Sequence, residues 1–102
     1  MKNIIIVTPI YNDWESFTKL IKEINKIISS FKDISFKLIA INDGSEEKLP
    51  SISLPSHLET IEILNMKINQ GHAICLANGI KYALNNYNFD HIILMDADGE
   101  DR

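Results

Sequence analysis

The sequence IIIVTPIYND, residues 4–13, joins a short aliphatic run to a polar segment. Three further apolar runs have the length of a strand, at residues 36–41, 60–64 and 91–95. The first and last runs are almost entirely aliphatic, which is typical of parallel strands that are covered on both faces. The third run alternates Ile61 and Ile63 with Glu62, which predicts a half-exposed strand at the edge of a sheet.

Apolar residues recur at steps of three and four in two segments between these strands, which predicts two helices. The first set is Trp14, Phe17, Leu20, Ile21, Ile24, Ile27, Ile28 and Phe31, and the second is Ala73, Leu76, Ala77, Ile80, Ala83, Leu84 and Tyr87. Asn12 and Glu15 have the spacing of a capping box for the first helix. Residues 46–57, with two prolines, are expected to form an irregular connector. This alternation predicts an open α/β sheet with right-handed crossovers.

The composition of the chain limits the classes of function that it can have. The chain has 102 residues, of which 45% are hydrophobic, and this suffices for one domain with a core. Cys75 is the single cysteine, which excludes a disulfide framework and favours a reducing compartment. Ten basic and fourteen acidic residues give a net charge of −4, which argues against nucleic-acid binding but not against a nucleotide held through a metal ion. No apolar run is long enough to span a membrane, so we expect a cytoplasmic chain.

The sequence stops at Arg102, a few residues after the fourth predicted strand and within its most acidic segment. A doubly wound domain normally continues from such a strand into a covering helix. We therefore expect residues 1–102 to be a truncated chain, or one half of a larger domain.

Polar segments follow all four predicted strands, at residues 8–13, 42–45, 69–72 and 96–101. In open α/β sheets, ligands bind outside the carboxyl ends of the strands, where the strand order reverses. A strand order of 3-2-1-4 would place this reversal between the first and fourth strands. It would bring Tyr11 near Asp96 and Asp98, with Asp43 one strand away.

The acidic segment after the fourth strand has the residues of a metal site. Asp96 and Asp98 are separated by one residue, and Glu100 continues the alternation, so three carboxylates could bind a hard divalent cation such as Mg²⁺ or Mn²⁺. A cation held by so few carboxylates keeps positions free for a diphosphate. The alternative is an ordinary solvated acidic turn.

The other polar segments each allow an ordinary interpretation as well as a functional one. Asp43 could accept a hydrogen bond from a nucleobase N–H or belong to a simple turn. Tyr11 could stack on a base or lie partly buried at the rim of the sheet. The amides of residues 69–71 could bind an anion or cap the second helix. Cys75 is interpreted as a small buried side chain rather than a nucleophile.

Taken in order, these segments resemble a known family. The motifs are TPIYND (8–13), NDGS (42–45), NQGHAI (69–74) with Asn78-Gly79-Ile80, and DADGEDR (96–102). They resemble the successive signatures of family-2 glycosyltransferases, which are inverting enzymes with a GT-A fold. That fold is an open, mostly parallel, Rossmann-like sheet. The third and fourth motifs are especially similar to the branch that includes dolichyl-phosphate mannose synthase and bacterial polyprenyl-phosphate sugar transferases.

The resemblance implies roles for individual residues. Pro9 and Tyr11 would line the nucleobase pocket, Asp43 would meet the base, and Asn69 and Gly71 would shape the pocket floor.

For the acidic segment, Asp96 would contact the ribose or the sugar, and Asp98 would bind the metal. Glu100 would replace a glutamine that can be a further metal ligand.

Two positions depart from the family's pattern: Asn42 replaces an aspartate, and Leu76 replaces an arginine that many members carry.

The activity implied is metal-dependent transfer of a sugar, with inversion, from a nucleoside-diphosphate sugar to an acceptor. The acceptor would be a polyprenyl phosphate or a cell-surface glycan, as in cell-envelope biosynthesis. The half of the fold that binds it, with the catalytic base, would lie beyond Arg102, as would any membrane attachment. Residues 1–102 would form the N-terminal nucleotide-binding half.

Two other functions compete with this one. The acidic motif could be the nucleophilic loop of a phosphohydrolase, although such a loop normally follows the first strand. The chain could also be a catalytically idle nucleotide-binding module. Nicotinamide binding is disfavoured because residues 8–13 contain no glycine.

Overall fold

The computed structural model describes residues 2–44 and 51–95. Four strands and two helices alternate as the sequence predicts. They are β1 (Lys2–Ile10), α1 (Trp14–Ile28), β2 (Ile34–Asn42), β3 (Leu58–Asn65), α2 (His72–Asn86) and β4 (His91–Leu94). The described part of the predicted connector, residues 51–57, contains neither helix nor strand.

The four strands form one parallel sheet in the order β3-β2-β1-β4. This confirms the predicted open α/β fold and its strand order. Within the register, Ile6 of β1 lies opposite Leu38 of β2 and Ile93 of β4. In chain order, β2 and β3 are added on one side of β1, and β4 is then added on its other side. The strand order therefore reverses between β1 and β4.

One helix covers each face of the sheet, because alternate residues of β1 and β2 point to opposite sides. On one face, Phe17 and Ile21 of α1 pack with Ile6 and Leu38. On the other face, Cys75 and Ala83 of α2 belong to a second core with Ile5, Val7, Ile39 and Ile41. The central strands β1 and β2 are thus buried on both sides and fix the position of every loop that follows them.

Helix α1 differs from its prediction at both ends. The N-cap is Asp13, whose Oδ1 accepts a hydrogen bond from the Ser16 amide at 3.2 Å, so the capping box predicted at Asn12 is wrong. Asn12 instead adopts a positive φ of 49° in the turn before the helix. Ile27 is 62% exposed, and Phe31 follows the helix end in an exposed position, so the predicted apolar stripe is wider than the buried one.

Helix α2 buries only one residue of its predicted apolar set, Ala83. Its buried positions are Cys75, Gly79 and Ala83, whereas Leu84 is 66% exposed. A Cβ atom on Gly79 would lie 2.4 Å from Cγ1 of Val7, so the helix axis runs very close to the sheet. Small side chains at intervals of four residues permit this approach, which is why the larger apolar residues are displaced to the flanks.

The two edge strands differ in how well the prediction describes them. β3 is an edge strand with a half-exposed pattern, as its alternation predicts. β4 was expected to be covered on both faces, and this is wrong, since Ile93 and Leu94 are exposed. In the part of the chain that the structure describes, β4 pairs only with β1, and α2 packs mainly on β1 and β2, which explains this exposure. Within residues 2–44 and 51–95, no helix has both the length and the apolar character needed to cross a bilayer.

Candidate functional site

All four strands end at the same edge of the sheet because they are parallel. Backbone hydrogen bonds continue beyond the strand ends, from the Asp43 amide to the Ile10 carbonyl (2.7 Å) and from the Met66 amide to the Asn42 carbonyl (2.8 Å). The amide of Met95, which follows β4, donates to the Val7 carbonyl at 2.9 Å. The chain therefore leaves the ends of β1, β2 and β4 side by side.

Pro9 and Tyr11 lie at the end of the central strand β1. Pro9 is opposite Ile41 of β2 and is buried, beyond Val7, the last residue of β1 that pairs with β4. Tyr11 follows the strand and is 47% exposed. Of this pair, Tyr11 is exposed to solvent, whereas Pro9 is buried in the end of the strand.

Asp43 lies at the end of β2 and is only 2% exposed. Its Oδ1 accepts a hydrogen bond from the Gln70 amide at 2.6 Å, and its Oδ2 accepts one from the Gly71 amide at 2.9 Å. The side-chain amide of Asn69 donates to Oδ2 at 3.1 Å and to the backbone carbonyl of Asp43 at 3.3 Å. We call this group of residues, Asp43 with Asn69, Gln70 and Gly71, the aspartate clasp. It joins the end of β2 to the start of α2.

The clasp also explains Gly44. This residue has a φ of +72°, and a Cβ atom placed on it would lie 2.7 Å from the Asn69 amide nitrogen and 2.8 Å from the Ile68 carbonyl carbon. Only glycine allows the two backbone segments to approach so closely in this conformation. The loop before α2 therefore rests directly on the turn after β2.

The start of α2 already holds an anion, which is the carboxylate of Asp43. The amides of Gln70 and Gly71 were considered as an anion site or a helix cap, and in the structure they serve the protein's own carboxylate. The rest of the loop faces outward: Asn69 is exposed, and no atom lies within 4 Å of the position that a Cβ on Gly71 would occupy. The open surface here is formed by Asn69 and the Cα of Gly71.

Cys75 lies in the first turn of α2 and is wholly buried. Burial, together with hydrogen bonding to Asp43 and the charge of that carboxylate, raises the pKa of the Cys75 thiol to about 12. A thiol that stays protonated is a poor nucleophile. This confirms the interpretation of Cys75 as a small buried side chain.

The sequence matches a known protein family along nearly its whole length. The family model for glycosyl transferase family 2 matches residues 5–102. The chain belongs to this family. No curated protein matches it closely enough to add a more specific function. Family membership establishes glycosyl transfer as the general reaction and a nucleotide sugar as the general kind of donor.

In this family 2 domain, three of the predicted nucleotide-binding residues come together: Asp43, Asn69 and Gly71 meet in the clasp. Tyr11 follows Ile10, whose carbonyl binds the Asp43 amide, so it leaves the neighbouring strand at the same edge. Asp96, Asp98 and Glu100 lie outside the described residues. The chain reaches them directly after Met95, which is still bonded to β1.

The predicted metal site is the acidic segment, Asp96 to Glu100. Among residues 2–44 and 51–95, no group of three or more His, Cys, Asp or Glu side chains is close enough to hold a metal ion. Asp43 is an unsuitable ligand because the protein's own donors already bind both of its oxygens. The three carboxylates from Asp96 to Glu100 are chemically suited to a hard cation.

Sequence reasoning identified Asp43 and the loop before α2 as separate candidates and missed their direct connection. The residues involved are 26 to 28 positions apart, so no local periodicity links them. The available signal was indirect: each of the two polar segments contains a glycine, Gly44 or Gly71, and both glycines have positive φ.

Proposed function

We propose that this chain forms the nucleotide-sugar-binding portion of a metal-dependent, inverting glycosyltransferase. The main support is the position of its polar segments. Those that follow β1 and β2 lie at one edge of the sheet, and β4 ends at that edge beside β1, directly before the acidic segment in the sequence. The strand order reverses between β1 and β4, which is where open α/β sheets bind ligands.

The nucleoside would bind against the ends of β1 and β2. Tyr11 offers an exposed aromatic ring for stacking on the base, and the buried Pro9 fixes the strand that carries it. Asn69 and the open surface at Gly71 would form the floor beside it, held in place through Asp43. This surface would give the nucleoside a floor to lie on and an aromatic ring on which its base could stack.

The diphosphate would lie towards β4. Asp98 and Glu100 would hold Mg²⁺ or Mn²⁺, and Asp96 would contact the ribose or the donor sugar. When bound, the cation would offset the charge of the nucleoside diphosphate as it leaves the sugar. No lysine or arginine lies between Asn69 and Ile80, where Leu76 occupies the position of the arginine that many members carry, so the cation would have to balance this charge.

The acceptor would attack the anomeric carbon from the face opposite the diphosphate, which inverts the configuration. We propose a polyprenyl phosphate as acceptor, on the strength of the Asn69–Ile74 and Asp96–Arg102 motifs. Such a substrate would place the enzyme at a membrane surface and in cell-envelope biosynthesis. The catalytic base is not assigned to any residue of this chain.

Calorimetric titration of the chain with UDP and with GDP, with and without Mn²⁺, tests this proposal. We expect one of the two nucleotides to bind only when Mn²⁺ is present, and Asp98→Ala to abolish that binding. Glu15→Gln is a matched control, because Glu15 is an exposed carboxylate of α1 that pairs with Lys19. Equal affinities in the wild type and in Asp98→Ala would refute the metal-binding role.

A further inference from the structure

We infer that the outer side of helix α2 binds an anionic lipid surface. We call this side the α2 outer face, and it consists of the exposed residues Ala73, Ile74, Ala77, Lys81 and Leu84. The inference rests in part on the proposed function, which places the enzyme at a membrane surface, and it names the part of the chain that makes the contact. Its test needs no nucleotide, so the two proposals can fail separately.

The first observation is that α2 is apolar on both of its sides. Cys75, Gly79 and Ala83 are its buried residues. The opposite side carries Ile74, which is 46% exposed, and Leu84, which is 66% exposed. A helix with apolar residues all round is normally covered on every side. Exposed aliphatic side chains on such a helix mark a surface that contacts another molecule or a membrane.

Helix α1 shows how an ordinary solvated helix of this molecule is built. It covers the other side of the same sheet and has the same length as α2. Its exposed side carries charges of both signs, including Glu15 and Lys19, which form an ion pair at 3.5 Å. In α2, by contrast, Lys81 is the single residue among the lysines, arginines and acidic residues of the chain. The apolar outer side is therefore a property of α2 and not of the fold.

The charge around α2 has one sign. Residues 63–89 contain no Asp or Glu, and both of their lysines, Lys67 and Lys81, are exposed. The whole chain has a formal net charge of −4, so the residues outside this segment together carry −6. The segment with the exposed apolar residues is thus positive and contains no carboxylate, within an otherwise acidic chain. Lysine beside exposed aliphatic residues is the combination that binds anionic lipid.

The apolar side chains are spread along the whole helix. Ile74 and Leu84 are about 15 Å apart along the helix axis. Directly before the helix, Ile68 is 65% exposed, and its backbone lies against Gly44, which fixes the loop that carries it. Contacts near both ends of α2 would hold its axis parallel to a flat surface.

The residue types favour lipid over protein as the occupant. Protein interfaces are enriched in Trp, Tyr, Phe, Met and Arg and depleted in Lys, and no exposed residue of α2 is of an enriched type. A second copy of the chain would bring the same positive face, with no carboxylate of α2 to pair with Lys81. A lipid phosphate supplies that negative charge, and the aliphatic stem of Lys81 can lie along the apolar layer beneath it.

This orientation is compatible with the site at the carboxyl edge. Helix α2 lies on the sheet over β1 and β2, so its outer side faces away from the sheet. With that side on a membrane, the sheet would lie parallel to the lipid surface. The carboxyl edge, where α2 begins, would then open along the membrane, where a lipid-linked acceptor would be held.

Co-sedimentation with vesicles tests the inference. The chain is mixed with vesicles of phosphatidylcholine alone, or of phosphatidylcholine and phosphatidylglycerol in equal parts. We expect the wild type to bind the mixed vesicles at least about tenfold more tightly than the neutral ones. Leu84→Glu should weaken binding to the mixed vesicles at least about tenfold, because it removes an apolar contact and adds a repelled charge.

Ile27→Glu is the matched control for Leu84→Glu. Ile27 is 62% exposed, lies in the last turn of α1 and undergoes the same change of charge. We expect its binding to stay within about twofold of the wild type. Equal losses in the two variants, or equal binding of the wild type to the two kinds of vesicle, would overturn the inference.

A second pair of variants tests the charge at exposed positions where folding is not at risk. Lys81→Gln should weaken binding to the mixed vesicles about fivefold, whereas Lys22→Gln, at an exposed position on α1, should change it by less than about twofold. Added salt should weaken the binding of the wild type. Losses of the same size at Lys22 and Lys81 contradict a specific role for α2.

Sedimentation velocity without vesicles tests the alternative occupant. If the wild type binds neither kind of vesicle but forms a dimer that Leu84→Glu dissociates, the α2 outer face belongs to a second copy and the inference fails. A chain that binds a nucleotide with Mn²⁺ but no vesicle also overturns the inference and leaves the nucleotide site of the proposed function standing. Vesicle binding without nucleotide binding supports the inference and contradicts the nucleotide site.

Discussion

Gly44 and Gly71 both adopt positive φ angles, yet alanine should have unequal effects at the two positions. At Gly44 the φ is +72°, and the new Cβ would lie 2.7 Å from the backbone nitrogen of Asn69, which cannot move without disturbing the clasp. At Gly71 the φ is +94° but the Cβ would enter open space. We expect Gly44→Ala to lower the free energy of unfolding by about 3 kcal/mol and Gly71→Ala by about 1 kcal/mol. Urea unfolding of both variants measures this difference, and equal losses would show that the close approach at Gly44 is unimportant.

Cys75 makes stability depend on pH in the alkaline range. Its thiol has a pKa of about 12 in the folded protein, above the value of 9.0 for a free cysteine. Between these two pH values the unfolded chain loses the thiol proton while the folded chain keeps it, so the free energy of unfolding falls as the pH rises. Below pH 9 this contribution is fully present.

The matched variant is Cys75→Ser, which has a similar shape but no titration in this range. We expect the urea midpoint of the wild type to fall more steeply between pH 8 and pH 11 than that of Cys75→Ser, as compared by fluorescence of Trp14. Other groups that titrate there, such as Tyr82, are common to both proteins. Parallel pH profiles would contradict the raised pKa.

At the level of single elements, the sequence located both helices but misjudged their details. Asn12 and Glu15 have the correct spacing for a capping box, but Asn12 takes a positive φ in the turn, and Asp13 then becomes the cap. Hydrophobic periodicity finds a helix because it counts large apolar residues. It does not show where a helix will pack very closely on the sheet. At α2, the face that packs closely on the sheet has room only for Gly79 and other small residues.

The cap of α1 is testable with adjacent substitutions. Asp13→Ala removes the carboxylate that accepts the Ser16 amide, and we expect a loss of about 1 kcal/mol in the free energy of unfolding. Ser16→Ala retains the donated backbone amide, so its effect should stay within about 0.5 kcal/mol. Chemical denaturation followed by circular dichroism compares the two. If both variants lose the same stability, Asp13 does not act as the cap.

Neighbouring positions on α2 test which face meets the sheet. Ala83 is completely buried, whereas Leu84 is exposed, although both belong to the predicted apolar set. We expect Ala83→Leu to cost about 2 kcal/mol because the added volume must enter a closely packed interface. Leu84→Ala should change the free energy of unfolding by less than about 0.5 kcal/mol. The opposite ranking in thermal unfolding would mean that the buried face has been misassigned.

For the molecule as a whole, the strand order was predictable because right-handed crossovers and strand-end polar residues restrict an α/β sheet to few arrangements. Two features of the structure, the exposure of β4 and the aspartate clasp, could not be predicted in this way. The run at β4 has the composition of a covered strand, and its exposure depends on what packs beside it rather than on its own residues. The aspartate clasp joins segments more than twenty residues apart, and the same Asp43 would suit a turn, a base contact or a buried anchor. Composition alone does not distinguish these three.

The position of the site at one edge leads to a prediction for the entire sheet. Titrating the ¹⁵N-labelled chain with UDP or GDP and Mn²⁺ should shift the amide resonances of Tyr11, Asn69 and Gly71 at the carboxyl edge. The opposite edge provides internal controls: the Lys2 amide, bonded to the Asp33 carbonyl at 3.0 Å, and the Asp90 amide, bonded to the Asn3 carbonyl at 2.8 Å, should not shift. Since the nucleotide binds only the folded state, a concentration 100 times the dissociation constant should add about 2.7 kcal/mol to the free energy of unfolding. Shifts centred on Lys2 and Asp90 would place the ligand at the wrong edge and refute a site at the strand-order reversal between β1 and β4.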